Sequence, residues 1–349
     1  TGDNNISIGR SARAAGTTGG ENVVIGTNGG TAMTTANNNV GVGYDVLKQV
    51  TTGYSNCALG AYALTDGLLD KYGPERVKDT PISEATFIGA GIGASIAGLR
   101  PIIELMSISF SLVAFDQIVN MAANLRYMSG GQISVPLIIR APTGAGMQLG
   151  ATHSQSFETW LSEVPGLKVI TFSNPIDALG LLRSAVKDLN PIIIAEPAGL
   201  YGVQGDVPDK YYEIPIGSAS VVKEGKDVTF VSYGHGIPIL LDTQEELTKI
   251  NIDAEIIDLR TLNPLDMLTI NNSIEKTGRV VLLDTSRKLG GIMPEIVSRI
   301  QEQSVDFLDG PIVRVGSENT PWPYNRNLEE SSLPNVNNVI ESFREGYKI

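Results

Sequence analysis

The sequence predicts an α/β protein in which two domains built on parallel or mixed sheets follow a short segment of β-roll-like repeats. Three observations predict it. Apolar strand-like runs alternate strictly with helix-like runs from about Gly67 onward, and such alternation implies parallel strands covered by helices on both faces. A polar stretch, YGVQGDVPDKYYEIPIG (201–217), interrupts that alternation once and reads as an interdomain linker. Before the alternation begins, a block of fixed length recurs. The expected divisions are therefore 1–60 for the repeats, 61–200 for the first α/β domain, 201–217 for the linker and 218–349 for the second α/β domain.

The repeats come first. NISIG begins at Asn5, NVVIG at Asn22, NVGVG at Asn39 and NCALG at Asn56, a spacing of 17 residues each time. Thr-Thr pairs at Thr17-Thr18, Thr34-Thr35 and Thr51-Thr52 keep the same period. A short fixed period means stacked units, each giving one short apolar strand, a glycine and a polar turn. The four asparagines could pair along the stack. This segment resembles the repeats of adhesin heads and viral fibre proteins, which implies trimerisation.

In the first domain, ISEATFIGAGIGASIAG (82–98) reads as a helix rich in small residues, RPIIELMS (100–107) as a buried strand, and SLVAFDQIVNMAANLRYM (111–128) as a helix with apolar spacing of three and four. VPLIIRAP (135–142) is a strand, followed by a glycine-rich loop. SFETWLSEV is a helix, LKVITFS a strand, PIDALGLLRSAVKD a helix opened by Pro175, and NPIIIAEP a strand. In the second domain DVTFVSYG, AEIIDLR, GRVVLLDTS and GPIVRVGS are strands. PILLDTQEELTKI, DMLTINNSIEK, IMPEIVSRIQEQ and VNNVIESFREGYK are helices.

Bulk properties narrow the functional classes. The net charge of −12 repels phosphate backbones and argues against a nucleic-acid partner. No apolar run reaches the ~18–20 residues of a membrane span, and the first residues hold no apolar core for a secretory signal. One cysteine, Cys57, excludes an internal disulfide, and two distant histidines make a protein-only transition-metal site improbable. Bacterial cytoplasm or a mitochondrial matrix is the expected location.

Gly89, Gly91 and Gly93 invite a dinucleotide-binding interpretation, but the upstream residues DTPISEAT are polar and no acidic residue stands some twenty positions on. The small residues are expected instead to form a smooth face for packing against another helix. No phosphate-binding GxxxxGK[ST] loop and no GxSxG elbow occur.

The informative constellation is Glu84, Phe110 and His153, with YMSGGQ (127–132) between. Ligands of parallel α/β sheets sit beyond the carboxyl ends of the strands. Phe110 follows one such strand, and His153 lies in the loop after the next. Glu84 opens a helix whose dipole favours its anion. A carboxylate, an aromatic face and an imidazole suit a site that holds a flat heteroaromatic ring and moves protons. His235, in VSYGHGIP, is read as structural or solvated.

From about Gly67 to Ile349 the chain resembles the beta subunits of the thiamine-dependent pyruvate dehydrogenase component. KYGPERVKDTPISE, IAGLRPIIELM, DQIVN with LRYMSGGQ, VPLIIRAPTGAG, HSQS, VPGLKVI, DLRTLNPLD and PYNRNLEE carry the likeness. It implies the two α/β domains of transketolase type, a pyrimidine-binding domain and a C-terminal domain. It implies that Glu84 hydrogen-bonds the aminopyrimidine of thiamine diphosphate, that Phe110 packs against that ring, and that Tyr127 belongs to the cofactor site. His153 would meet the 2-oxo acid or the incoming lipoyl group. The carbonyls of Leu137, Ala185, Val186, Asp188 and Asn190 would bind a potassium ion. LRYMSGGQ favours pyruvate over a branched-chain 2-oxo acid or acetoin.

Thiamine enzymes hold magnesium and diphosphate with a GDG motif, which is absent; GDN at 2–4 and FLDG at 307–310 lack its context. The resemblance therefore implies half a site, with Mg2+ and the diphosphate on an alpha subunit, a heterotetramer of two alpha and two beta chains, and docking on a lipoyl acyltransferase core. The repeats stand where the family has a helix and a strand, so a chimeric attachment protein with an inactive α/β body is the alternative.

Overall fold

The computed structural model describes residues 80–349 continuously and, before them, 5–8, 10–12, 14, 18–25, 31, 34–35, 40–42, 57–59, 68–73 and 75–78. The chain forms two compact units, Thr1–Ser83 and Glu84–Ile349.

In the first unit β1 (Ile6–Ile8), β2 (Val23–Ile25), β3 (Val40–Val42) and β4 (Cys57–Leu59) pair in order and in parallel. The register sets Ile6 against Val23, Val23 against Val40 and Val40 against Cys57, so each rung steps by one sequence period. The Asn22 side-chain amide donates to Asn5 Oδ1 at 2.9 Å and the Asn22 backbone N–H to the same atom at 3.0 Å. That is the first rung of the expected asparagine ladder; Asn39 and Asn56 lie outside the described residues. A short helix, α1 (Leu68–Tyr72), follows.

The second unit holds two sheets of five strands. The first is built from β5 (Ile102–Glu104), β6 (Ile138–Thr143), β7 (Lys168–Thr171) and β8 (Ile192–Pro197), all parallel. Around them run α2 (Glu84–Ile96), α3 (Leu125–Met128), α4 (Glu158–Ser162) and α5 (Pro175–Lys187). The second sheet has β9 (Ser220–Lys223) antiparallel at its edge and β10 (Val228–Ser232), β11 (Ala254–Asp258), β13 (Val280–Arg287) and β14 (Val313–Ser317) parallel. Its helices are α6 (Gly236–Thr248), α7 (Met267–Thr277), α8 (Ile292–Gln303), α9 (Arg326–Ser332) and α10 (Val336–Tyr347). Between β11 and α7 the chain lends β12 (Thr261–Asn263) to the first sheet, antiparallel to β7.

The strands follow from composition. β8, β10 and β11 are buried along their whole length, as parallel strands with helices on both faces must be. Pro175 starts α5 one residue after Asn174, whose side chain accepts from the Asp177 amide, so cap and N1 proline together set that end. Residues 201–217 contain no helix or strand.

Three expectations are corrected, one of them that RPIIELMS is a buried strand: in β5 Ile102 and Glu104 are exposed, as suits the edge of the sheet. The single helix expected over 111–128 is a 3-10 helix at Ile108–Ala114, a π-helix at Gln117–Ala122 and then α3. Apolar residues three and four apart suit several windings, so spacing could not choose among them. The small-residue face of α2 meets more than a helix. An added Cβ at Gly91 would stand 2.3 Å from Ile103 Cδ1 on β5, so this glycine lets α2 lie directly on the sheet.

Candidate functional site

Phe110 sits on the 3-10 helix that follows β5. Ser107 starts this helix, its hydroxyl accepting from the Ser109 amide at 3.2 Å. His153 is exposed in the loop between β6 and α4. The two rings stand edge to face, centroids 5.1 Å apart and planes at 89°, an arrangement favoured by aromatic quadrupoles. Ser107 Oγ donates to the His153 carbonyl at 3.4 Å, and Thr152 Oγ1 lies 2.8 Å from His153 Nδ1. Glu84 occupies the first turn of α2 and is 7% exposed. α2 packs on the 3-10 helix that carries Phe110. The hydroxyls of Ser109 and Ser111, either side of Phe110, and of Ser154, beside His153, are buried without a hydrogen-bond partner among the described residues. Buried polar atoms of this kind mark places where a further group belongs.

The loop bearing His153 needs left-handed backbone at Gly144 (φ +85°), Gly146 (φ +105°) and Gly150 (φ +72°), which only glycine adopts freely. Its far end is gripped by Glu329 on α9, which is 1% exposed. The amides of Gly146 and Gln148 donate to its two carboxylate oxygens at 3.0 and 2.9 Å. Its near end is fixed by Gln155, whose carbonyl accepts from the Gly144 amide at 3.2 Å and whose side-chain oxygen accepts from Arg287 Nη1 at 2.9 Å. The second sheet and its helices therefore hold a loop that begins on the first.

Beneath this loop lies Glu158, fully buried, its carboxyl pushed up to about 7 by burial, against a hydrogen bond from Thr143. Burial also raises Asp284 and the Tyr233 phenol, whose hydroxyl donates to Asp284 Oδ1 at 3.0 Å. Across the neighbouring strands β5, β6 and β8, Arg140 makes a two-pronged bond to Glu196 at 2.6 and 2.7 Å and lies 3.6 Å from Glu104. Tyr201 donates to Glu196 at 2.7 Å.

The other expected site residues fare differently. Tyr127 is 88% exposed on α3 and makes no ring contact with Phe110 or His153 among the described residues. His235 is half-buried at the start of α6 beside Gly199, and burial lowers its pKa, as suits a structural histidine. Of the five carbonyls expected to ring a potassium ion, those of Leu137, Ala185, Val186 and Asp188 already accept hydrogen bonds. Arg100 Nη1 donates to the carbonyls of Val186 and Asp188 at 2.7 and 2.9 Å, so a guanidinium already supplies positive charge there. The Leu137 carbonyl accepts from the Ile192 amide at 2.8 Å and that of Ala185 from the Asp188 amide at 3.2 Å. The carboxylate of Asp188 accepts from Lys168 and from Asn190. Sequence reasoning missed Glu158, Glu329 and Arg287. The motif PYNRNLEE contained Glu329, but no local spacing linked it to a loop some 180 residues earlier.

Comparison with known proteins agrees with this architecture. Residues 29–204 match the transketolase pyrimidine binding domain, a match that starts inside the repeat segment, and residues 217–339 match the transketolase C-terminal domain. The mitochondrial pyruvate dehydrogenase E1 component subunit beta-2 of Oryza sativa subsp. japonica is 44% identical over 287 residues, spanning 81% of this chain and 76% of that one. The pyruvate dehydrogenase E1 component subunit beta of Rickettsia felis is 44% identical over 285 residues, spanning 82% and 87%. A split gene transketolase, solved as an inactive beta4 tetramer, superposes with a TM-score of 0.68 at 22% identity over 82% of this chain and 89% of that one, a likeness of fold. Matched in both domains, and at 44% identity through four-fifths of its length, the chain belongs to the family of pyruvate dehydrogenase E1 component beta subunits.

Proposed function

We propose that this chain is the beta half of a thiamine diphosphate-dependent pyruvate dehydrogenase, catalysing oxidative decarboxylation of pyruvate and acetyl transfer to lipoyl groups once an alpha subunit completes the site. What supports it above all is the Phe110–His153 pair, with the buried carboxylate of Glu84 at the head of the helix packed on Phe110's own. These residues fit the flat pyrimidine end of the cofactor. No group of three or more His, Cys, Asp or Glu side chains that could hold a metal ion occurs among the described residues; Mg2+ and the diphosphate would be held by the alpha subunit.

When bound, thiamine diphosphate supplies the reactive carbon and the electron sink for decarboxylation. The chain's own residues supply geometry and proton control. Glu84 would hold a proton at the pyrimidine ring nitrogen, its charge favoured by the N-terminus of α2. Phe110 would carry one side of that ring. His153, exposed and steadied by Phe110 and Ser107, would exchange a proton with the oxo group or the lipoyl thiolate. Tyr127, which is exposed, is proposed for the cofactor site as well. The proposed assembly is two alpha and two beta chains docked on a lipoyl acyltransferase core, in bacterial cytoplasm or mitochondrial matrix. No helix among the described residues is long and apolar enough to cross a membrane.

The test mixes the chain with a family alpha subunit, Mg2+, thiamine diphosphate and pyruvate. Release of CO2 that disappears in Glu84→Gln supports the proposal. A homotrimer that ignores the alpha chain and releases none overturns it.

A further inference from the structure

Thr143 ends β6, and its hydroxyl oxygen lies 2.5 Å from Glu158 Oε2 and 3.4 Å from the Gln155 carbonyl oxygen. The Gly144 amide donates to that same carbonyl at 3.2 Å. Together these bonds form the neck of the 144–156 loop, which carries His153. Glu158 is 2% exposed. The other groups facing it are the Tyr233 phenol and the Asp284 carboxyl, reached from the second sheet, and neither is a cation. Asp284 Oδ2 is itself buried without a partner among the described residues, so nothing there offsets a charge on Glu158.

A hydroxyl has one hydrogen to give. Thr143 has two acceptors within reach, and the state of Glu158 decides between them. A neutral Glu158 donates its own hydrogen to Thr143 Oγ1, leaving the threonine hydrogen for the Gln155 carbonyl. An ionised Glu158 can only accept; it takes the threonine hydrogen and leaves Gln155 with the Gly144 amide alone. We infer that Glu158 is a positioning residue for the loop that carries His153, closing its neck through Thr143 as the neutral acid and loosening it as the anion. Burial sets this exchange near neutrality, since it pushes the carboxyl up to about 7. The consequence for turnover rests on the pyruvate dehydrogenase proposal; the neck does not.

The test is amide hydrogen exchange across 144–156 in the chain alone, at about pH 6 and about pH 8.5, corrected for intrinsic exchange. In the wild type, protection falls by ~10-fold or more at the higher pH. In Glu158→Gln the side-chain amide donates to Thr143 at every pH, and the fall is absent. Thr143→Val removes the relay and gives low protection at both. A parallel fall in Glu158→Gln, or full protection in Thr143→Val, overturns the inference. In the assembled enzyme, acetyl transfer by the wild type declines above about pH 7, and the profile of Glu158→Gln lacks that limb. Should the exchange result hold while the assembly releases no CO2, the neck stands and the functional proposal fails. Matching pH profiles for wild type and Glu158→Gln would refute a role for the neck in turnover.

Discussion

The carboxylate of Glu329, on α9, accepts the Gly146 amide at 3.0 Å, joining two residues 183 positions apart in sequence. With the Gln148 amide at 2.9 Å on its other oxygen, Glu329 holds both amides at the loop's outer turn. Hydrogen bonds to a buried charge are worth about 1.5–3 kcal/mol each. Glu329→Ala is expected to lose about 2 kcal/mol or more in urea unfolding and to abolish exchange protection at Gly146 and Gln148. Wild-type protection at both amides in the variant would refute the clamp.

The second prediction concerns the aromatic pair. Phe110→Ala removes an edge-to-face contact worth about 0.5–1.5 kcal/mol and leaves the His153 ring without its support. His153→Ala should leave cofactor affinity unaltered and slow acetyl transfer by ~10²-fold, the usual size of a proton-transfer role. Single-turnover acetylation of a lipoyl domain separates the two. A variant that transfers acetyl groups at the wild-type rate would show His153 to be an ordinary solvated residue.

A third follows from the buried acid. Glu158 has its pKa raised from 4.5 to about 7. A raised folded-state value means that stability is fully present below the unfolded pKa and is lost as pH climbs through the folded one. Across that window the loss amounts to ~3 kcal/mol, at 1.36 kcal/mol per pKa unit. Glu158→Gln carries no ionisable group there. Its stability relative to the wild type should therefore grow between about pH 4.5 and 7 and then level off. Unfolding by urea at about pH 5 and about pH 8 checks this, and a difference independent of pH contradicts it.

The fourth tests the ion pair between β6 and β8. Arg140 and Glu196 have side chains 17% and 6% exposed. Arg140→Met leaves Glu196 a buried charge without its partner, a change that costs about 3–5 kcal/mol. Adding Glu196→Leu should restore part of that loss, which a double-mutant cycle in chemical denaturation would measure. Equal stability for Arg140→Met and the wild type would show the pair to be dispensable.

Much of this molecule was determined by the sequence itself. Apolar runs such as NPIIIAEP and DVTFVSYG bury on both faces and declare parallel strands wherever they are placed, and the repeat period appears unchanged as the register of β1 to β4. That Phe110 and His153 meet was legible, because each follows a strand of one sheet, and the carboxyl ends of strands are where α/β folds bind ligands. Only the tertiary structure decided the rest. It split the 111–128 segment into 3-10, π and α turns, sent β12 to the other sheet, brought Arg100 to the carbonyls of Val186 and Asp188, and seated Glu158 and Glu329 around the His153 loop. The reason is physical: periodicity and propensity report on neighbours within a turn or two, whereas a buried carboxylate's partners come from chain segments far away in sequence, and only the packed fold says which ones.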